Sequence, residues 1–160
     1  YAKPTHPQIR RHDVREPIRS AAEIVAAEAE AKGRRVEVNL PEQSMLVDAD
    51  PDQMKQVFLN LVRNGVQAGT NVWIEGTARN GSVTISVRDD GPGIDPELRE
   101  KIFHPFVSNK EQGAGLGLAI VKRIVDANNA RLEVHEGGKM PGRGAEFSVY
   151  FDDADSVDHS

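Results

Sequence analysis

Two alternating segments, Val72-Trp73-Ile74-Glu75 and Val83-Thr84-Ile85-Ser86-Val87, stand on either side of Asn80-Gly81. Asn-Gly populates the left-handed turn that closes a tight hairpin, and period-two alternation gives each strand one apolar face. The segments therefore pair antiparallel, and because a lone hairpin is marginal in water their apolar face needs cover. The chain supplies it on both sides. Residues from about Glu16 to Lys32 are rich in Ala, Glu, Ile and Val and stop at Gly33, and Asp50-Pro51 caps and starts a helix that runs to Ala68 before Gly69. A third helix is predicted from about Leu116 to Asn128. Further strands are predicted at Val36 to Leu40, Met45 to Val47, Leu132 to Val134 and Phe147 to Phe151.

Between Asp89 and Gly117 periodicity fades and glycines accumulate. Only Pro96 to Phe103 reads as a short helix there, and the stretch as a whole reads as a long functional loop, a lid. Hairpin connections with a few helices define an α+β class: a two-layer α/β sandwich, its mixed, mostly antiparallel sheet packed on about three helices, rather than a doubly wound parallel sheet. A chain of 160 residues with 38% hydrophobic content suits one domain. We assign residues 1–12, with Pro4 and Pro7, to a linker, 13–152 to the domain, and 153–160 to a frayed acidic tail.

A net charge of -5 without a basic stripe argues against nucleic acid as a partner, and the absence of cysteine removes disulfides and thiolate metal sites. No apolar run is long enough to span a bilayer, and Tyr1-Ala2-Lys3-Pro4 has none of the regions of a signal peptide, so a soluble, cytoplasmic piece without direct membrane contact is expected.

The helix from Pro51 sets Met54, Val57, Phe58, Leu61 and Val62 on an apolar face, with Asn60, Asn64 and Gln67 along one polar edge. Amide oxygens there suit Mg²⁺, although solvated asparagines on an ordinary amphipathic helix would read the same way. Asp89-Asp90-Gly91-Pro92-Gly93-Ile94 follows a strand. A carboxylate at Asp89 accepts hydrogen bonds only, which matches the amino group of adenine and not the oxygen of guanine, while Gly91 and Gly93 let backbone approach a ring. A plain turn has the same composition. Gly113-Ala114-Gly115-Leu116-Gly117-Leu118 precedes a helix, so backbone N–H groups would face an anion such as phosphate, and Lys110 is a point charge suited to a terminal phosphate. The spacing is neither that of a dinucleotide fingerprint nor of a Walker loop.

Together these segments resemble the catalytic and ATP-binding domain of sensor histidine kinases, within the wider family of type II topoisomerase and heat-shock chaperone ATPases with the Bergerat-type fold. Asn60 to Asn64 resembles the N box and Asp89 to Ile94 the first glycine box. Ile102-Phe103-His104-Pro105-Phe106 resembles the F box, Gly113 to Leu118 the second glycine box, and Gly142 to Phe147 the closing strand motif. The resemblance implies that Asp89 binds the adenine amino group, that Asn64 and Asn60 bind Mg²⁺, and that Lys110 reaches the γ-phosphate. It implies nucleotide contacts from Arg63, Gln67, Gly91, Gly93, Ile94 and Phe103, and from Gly113, Ala114, Gly115, Leu116, Gly117 and Leu118. Gly65 stands where alanine is common, Gln67 where many members have lysine, and Ala114 where threonine is frequent.

In the ATPases of the wider family a glutamate that activates water stands four residues before the metal-binding asparagine; here Asn60 occupies that place, and a carboxamide is no general base. The resemblance therefore implies a kinase half-site, with Mg-ATP as cofactor and Asn60, Asn64 and Lys110 as catalytic groups. The phosphoacceptor histidine would lie on a separate dimerisation domain that supplies a response regulator. Residues 1–12 would lead from the dimerisation helices, the isolated domain would be monomeric and the parent a homodimer. The sequence His12-Asp13-Val14-Arg15-Glu16-Pro17 imitates the acceptor box, yet only one short helix fits after it, so we read His12 as a decoy. A free-standing ATPase or serine kinase of the same fold, and a nucleotide-sensing module without chemistry, are the alternatives.

Overall fold

A computed structural model describes residues 6–97, 99, 101–103, 114–136 and 144–152, the side chains of 114–116 and 136 excepted. Its elements in chain order are β1 (Arg10–Asp13), α1 (Arg15–Glu30), β2 (Arg35–Asn39), β3 (Leu46–Ala49), α2 (Pro51–Ala68), β4 (Asn71–Arg79), β5 (Ser82–Asp89), α3 (Ala114–Ala127), β6 (Arg131–Glu136) and β7 (Ala145–Phe151). Five strands form one sheet in the order β2-β4-β5-β7-β6, and β1 with β3 forms a separate antiparallel pair. Only β2 and β4 run parallel in the large sheet. The hairpin closes as the sequence requires: Arg79 pairs with Ser82, and Asn80 and Gly81 both take positive φ, 53° and 83°.

Alternation decides which face is covered. Val72, Ile74, Val83, Ile85, Val87, Phe147 and Val149 are buried together with Ile18, Met54, Phe58 and Leu61 of the helices, so all three helices lie on one side of the sheet. On the opposite face Trp73 stacks under Arg88, its centroid 4.5 Å from the guanidinium carbon. The two-layer α+β architecture with a mixed sheet is as expected.

Side chains fix where α2 begins and ends. Asp50 accepts hydrogen bonds from the N–H groups of Asp52 (2.9 Å) and Gln53 (3.1 Å), satisfying donors that a helix start leaves open. Buried Asn128, just past α3, accepts from the Asp50 N–H at 2.9 Å and donates to Gln53 Oε1 at 2.8 Å, which ties the start of α2 to the end of α3. At the other end the Gly69 N–H donates to Gly65 O at 2.9 Å, and Arg34 Nη1 donates to the carbonyls of Val66 and Gly69.

Two segments differ from expectation. Residues 10–12, read as the end of a linker, form most of β1, held to β3 by backbone pairing and by the Arg11 to Asp48 ion pair at 2.8 Å. The short helix expected from Pro96 to Phe103 is a series of turns at its described residues. Asp95 Oδ1 accepts from Glu97 N–H at 3.0 Å, the capping bond expected before Pro96, but the described residues after it go no further than turns. Among the described residues no helix is long and apolar enough to cross a membrane.

Candidate functional site

The polar edge of α2 opens into a cavity of about 90 Å³ lined by Asn60, Arg63, Asn64, Gln67, Gly117 and Leu118. The i, i+4, i+7 spacing of the carboxamides therefore does converge on one space, and the first turns of α3 form its other wall. A β-carbon built on Gly117 would lie 3.7 Å from Asn60 Oδ1, so glycine there leaves the carboxamide open toward the cavity. The start of α3 adds the positive end of its dipole to the same space. Among the described residues no group of three or more His, Cys, Asp or Glu could hold a metal, so a cation here would rely on carboxamide oxygens and on its ligand's phosphates. That donor set fits Mg²⁺.

Asp89 ends β5 and is buried, with 4% of its surface exposed. It stands against α2 beside Gly65, where an added β-carbon would come 3.6 Å from Asp89 Cβ and 3.0 Å from Val72 Cγ2. The helix bearing Asn60 and Asn64 thus approaches the strand-end carboxylate closely because residue 65 has no side chain. Asp89 Oδ1 accepts from the Gly91 N–H at 2.9 Å, fixing its orientation. The following loop folds onto the backbone before β7: the Gly144 N–H donates to Gly91 O at 2.6 Å, Gly93 takes φ +84°, and a β-carbon on Gly93 would lie 2.8 Å from Gly144 O.

The remaining expected site residues fall into three groups. Arg63 reaches the cavity rim but its guanidinium is engaged, donating to Glu28 of α1 from Nε at 3.1 Å and Nη2 at 2.9 Å. Those bonds hold the Glu28 carboxyl below its usual range and raise the Arg63 guanidinium. Ile94 and Phe103 pack against the core, the Phe103 ring edge-on to Phe147 with centroids 6.3 Å apart. Lys110, Gly113, His104 and Phe106 lie outside the described residues, as do the side chains of Ala114, Gly115 and Leu116. His12 lies on β1 opposite Val47, on a paired strand rather than a helix. A larger cleft of about 430 Å³, lined among others by Arg11, Asp48, Asn80 and Phe151, shares no residue with this site.

Sequence reasoning gave no role to Asp90 or Gly144. Asp90 accepts from the N–H groups of Thr70 (2.8 Å) and Asn71 (3.0 Å), so it bridges the loop after β5 to the turn after α2. The signal was indirect: two amides following a helix stop need an acceptor, but nothing local says where it comes from.

A sandwich whose central helix presents carboxamides beside a strand-end carboxylate, facing the start of a glycine-led helix, defines an ATPase-type nucleotide-binding domain. The chain belongs to the histidine kinase-, DNA gyrase B- and HSP90-like ATPase family, whose pattern matches residues 49–155. It is similar to the sensor histidine kinase ZraS of Escherichia coli O157:H7, 34% identical over an alignment of 151 residues that covers 92% of this chain and 32% of that protein. The chain thus spans about a third of the length of the curated relatives it matches. Among solved structures, full-length ShkA in complex with AMPPNP superposes with a TM-score of 0.79 at 33% identity, covering 94% of this chain and 32% of that one. The nucleotide-free catalytic domain of the histidine kinase ThkA also gives 0.79, at 27% identity, covering 91% of this chain and 95% of that one.

Proposed function

We propose that this chain is the ATP-binding catalytic part of a sensor histidine kinase, which binds Mg-ATP and passes the γ-phosphoryl to a histidine on a separate dimerisation domain, from which a response regulator is supplied. The observation that carries the reading is the approach of Asp89 to Gly65, which puts a base-accepting carboxylate one residue from Asn64. Asp89 selects adenine through its amino group, and the carboxamide oxygens of Asn60 and Asn64 would be the groups that hold Mg²⁺. When bound, the cation supplies charge stabilisation for a loose transition state. The chain's own part is positioning. With a carboxamide at Asn60, no general base stands at that position to activate water, so the phosphoryl is kept for another acceptor. The similarity to ShkA, solved with the ATP analogue AMPPNP, and to named sensor kinases supports the reading. Because it consumes ATP, the domain works in the cytoplasm, and Lys110 serves the terminal phosphate.

The test is to incubate the protein with γ-labelled ATP and Mg²⁺, with and without a separately made helical domain bearing the acceptor histidine. Label on the acceptor domain is expected, with slow release to water in its absence. Rapid release regardless of acceptor would favour a free ATPase, and label on this chain alone would point to His12.

A further inference from the structure

Asp90 is exposed, yet both its oxygens are committed. Oδ1 accepts from the Thr70 and Asn71 N–H groups at 2.8 and 3.0 Å, Oδ2 accepts from Asn71 Nδ2 at 2.9 Å, and the Asp90 N–H donates to Asn71 O at 3.2 Å. Burial pushes its carboxyl up, but these bonds outweigh it and hold the group below its usual range. The contact extends to the backbone: a β-carbon on Gly69 would strike Asp90 Oδ1 and come 2.7 Å from Gly91 N, and one on Gly91 would overlap the Ala68 carbonyl oxygen. From the far side Arg34 grips the Val66 and Gly69 carbonyls, and the Arg35 N–H donates to Thr70 O at 2.9 Å. The turn that ends α2 is thus fastened at its carbonyls by β2's approach and at its amides by Asp90.

This turn joins two of the three walls of the nucleotide site. One is α2, with Asn60, Asn64 and Gln67; the second is the strand end at Asp89, one residue before Asp90; the first turns of α3 form the third. A ligand held at two ends gains its second contact cheaply only when the spacing between anchors matches it. Three donors of the turn already occupy the Asp90 carboxylate, two on Oδ1 and one on Oδ2, so its first effect is on that spacing.

We propose that Asp90 is a positioning residue that sets the separation between Asp89 and the carboxamide edge of α2, so that one Mg-ATP molecule engages both. The proposal rests on the nucleotide reading above and adds to it a residue which that reading does not use.

The experiment compares dissociation constants for adenosine, which needs only the Asp89 wall, and Mg-ATP, which needs both, on the whole chain by calorimetry or NMR titration. In Asp90→Ala the adenosine-to-Mg-ATP ratio should fall about tenfold or more, since a displacement of about 1 Å can cost far more than that. Asp90→Asn, whose amide oxygen still accepts from Thr70 and Asn71, should hold the ratio within about threefold of wild type. Equal weakening of both ligands, leaving the ratio unchanged, would show a brace for folding only and overturn the proposal. If Asp90→Ala does not fold, Asn71→Ala removes just the Oδ2 arm; a fall of about two- to threefold supports the proposal and no change overturns it. Wild-type protein that binds neither ligand would instead overturn the nucleotide reading, and this proposal with it.

Discussion

The backbone of Gly144 rests on the carbonyl of Asp89 so closely that a β-carbon on Gly144 would overlap the Asp89 oxygen and lie 2.8 Å from its carbonyl carbon. Gly144 also holds φ +71°, a conformation that costs an L-residue about 1–2 kcal/mol. Gly144→Ala therefore combines backbone strain with displacement of Asp89, which we propose recognises the base. We expect a loss of about 2–4 kcal/mol in urea unfolding, combining strain and overpacking, together with weakened adenine nucleotide binding. Normal stability and affinity in calorimetry would contradict the close contact.

Asp89→Asn separates charge from shape. Asn retains an oxygen for the Gly91 N–H, now 2.9 Å from Asp89 Oδ1, so the loop should keep its conformation. What changes is the acceptor offered to the adenine amino group, since one carboxylate oxygen becomes an amide donor. Circular dichroism should be unchanged and ATP affinity should drop below detection in calorimetry; affinity equal to wild type would remove Asp89 from the site.

What the sequence could say depended on the range of each interaction. The hairpin was legible because its signal, Asn80-Gly81 between alternating strands, is entirely local, and α2 was legible because Asp50-Pro51 is a local start. The alternation was read over Val72 to Glu75 only, yet strand β4 runs on to Arg79. A β-carbon at Gly76 would come 2.9 Å from Leu40 Cδ2 and 3.0 Å from Met45 Cε, so the ends of those two flexible side chains use the space that glycine leaves. Strand β1 was hidden for the opposite reason: Arg10-Arg11-His12-Asp13 has no apolar pattern, and its pairing comes from partners more than thirty residues away, Arg11 with Asp48 and Asp13 with the Met45 N–H. In the site, the spacing of Asn60, Asn64 and Gln67 was readable, while the meeting of Asp89 with Gly65 and of Asp90 with Asn71 depends on the sheet order and was not.

The cavity at Asn60 and Asn64 makes a metal prediction. If carboxamide oxygens hold the cation, Asn64→Ala should remove the Mg²⁺ dependence of ATP binding, leaving an affinity near that of wild type without the metal. Because one neutral ligand is lost from a hydrated ion, the loss expected is about 1–3 kcal/mol, or roughly five- to 150-fold in Kd. ATP titrations with and without Mg²⁺ read this directly, and a preserved metal response would assign the cation to other ligands.

Far from that cavity, Asp13 and Arg15 make the fold sensitive to acid. Arg15 donates to Asp13 from Nε at 3.0 Å and from Nη2 at 2.7 Å, and its Nη1 reaches the carbonyls of Pro41 and Glu42 at 3.0 and 2.6 Å. Asp13 Oδ1 also accepts from the Met45 N–H at 3.2 Å, so the pair fastens β1, the start of α1 and the 41–45 segment together. The Arg15 side chain beside it, helped by backbone donors and opposed by burial, lowers the Asp13 carboxyl from 3.8 to about 2. In that window the unfolded chain binds the proton more readily than the folded one, so stability must rise with pH. The contribution is complete above the ordinary value of 3.8, falls as pH drops toward about 2, and is absent below it. Other carboxylates titrate nearby, Asp48 among them, lowered chiefly by its bond from Arg11. The informative quantity is therefore the difference in unfolding free energy between wild type and Asp13→Asn, followed by urea denaturation in steps through the acid range. That difference should be constant near neutrality and shrink through the window; if it stays flat, Asp13 is not held as a carboxylate by Arg15.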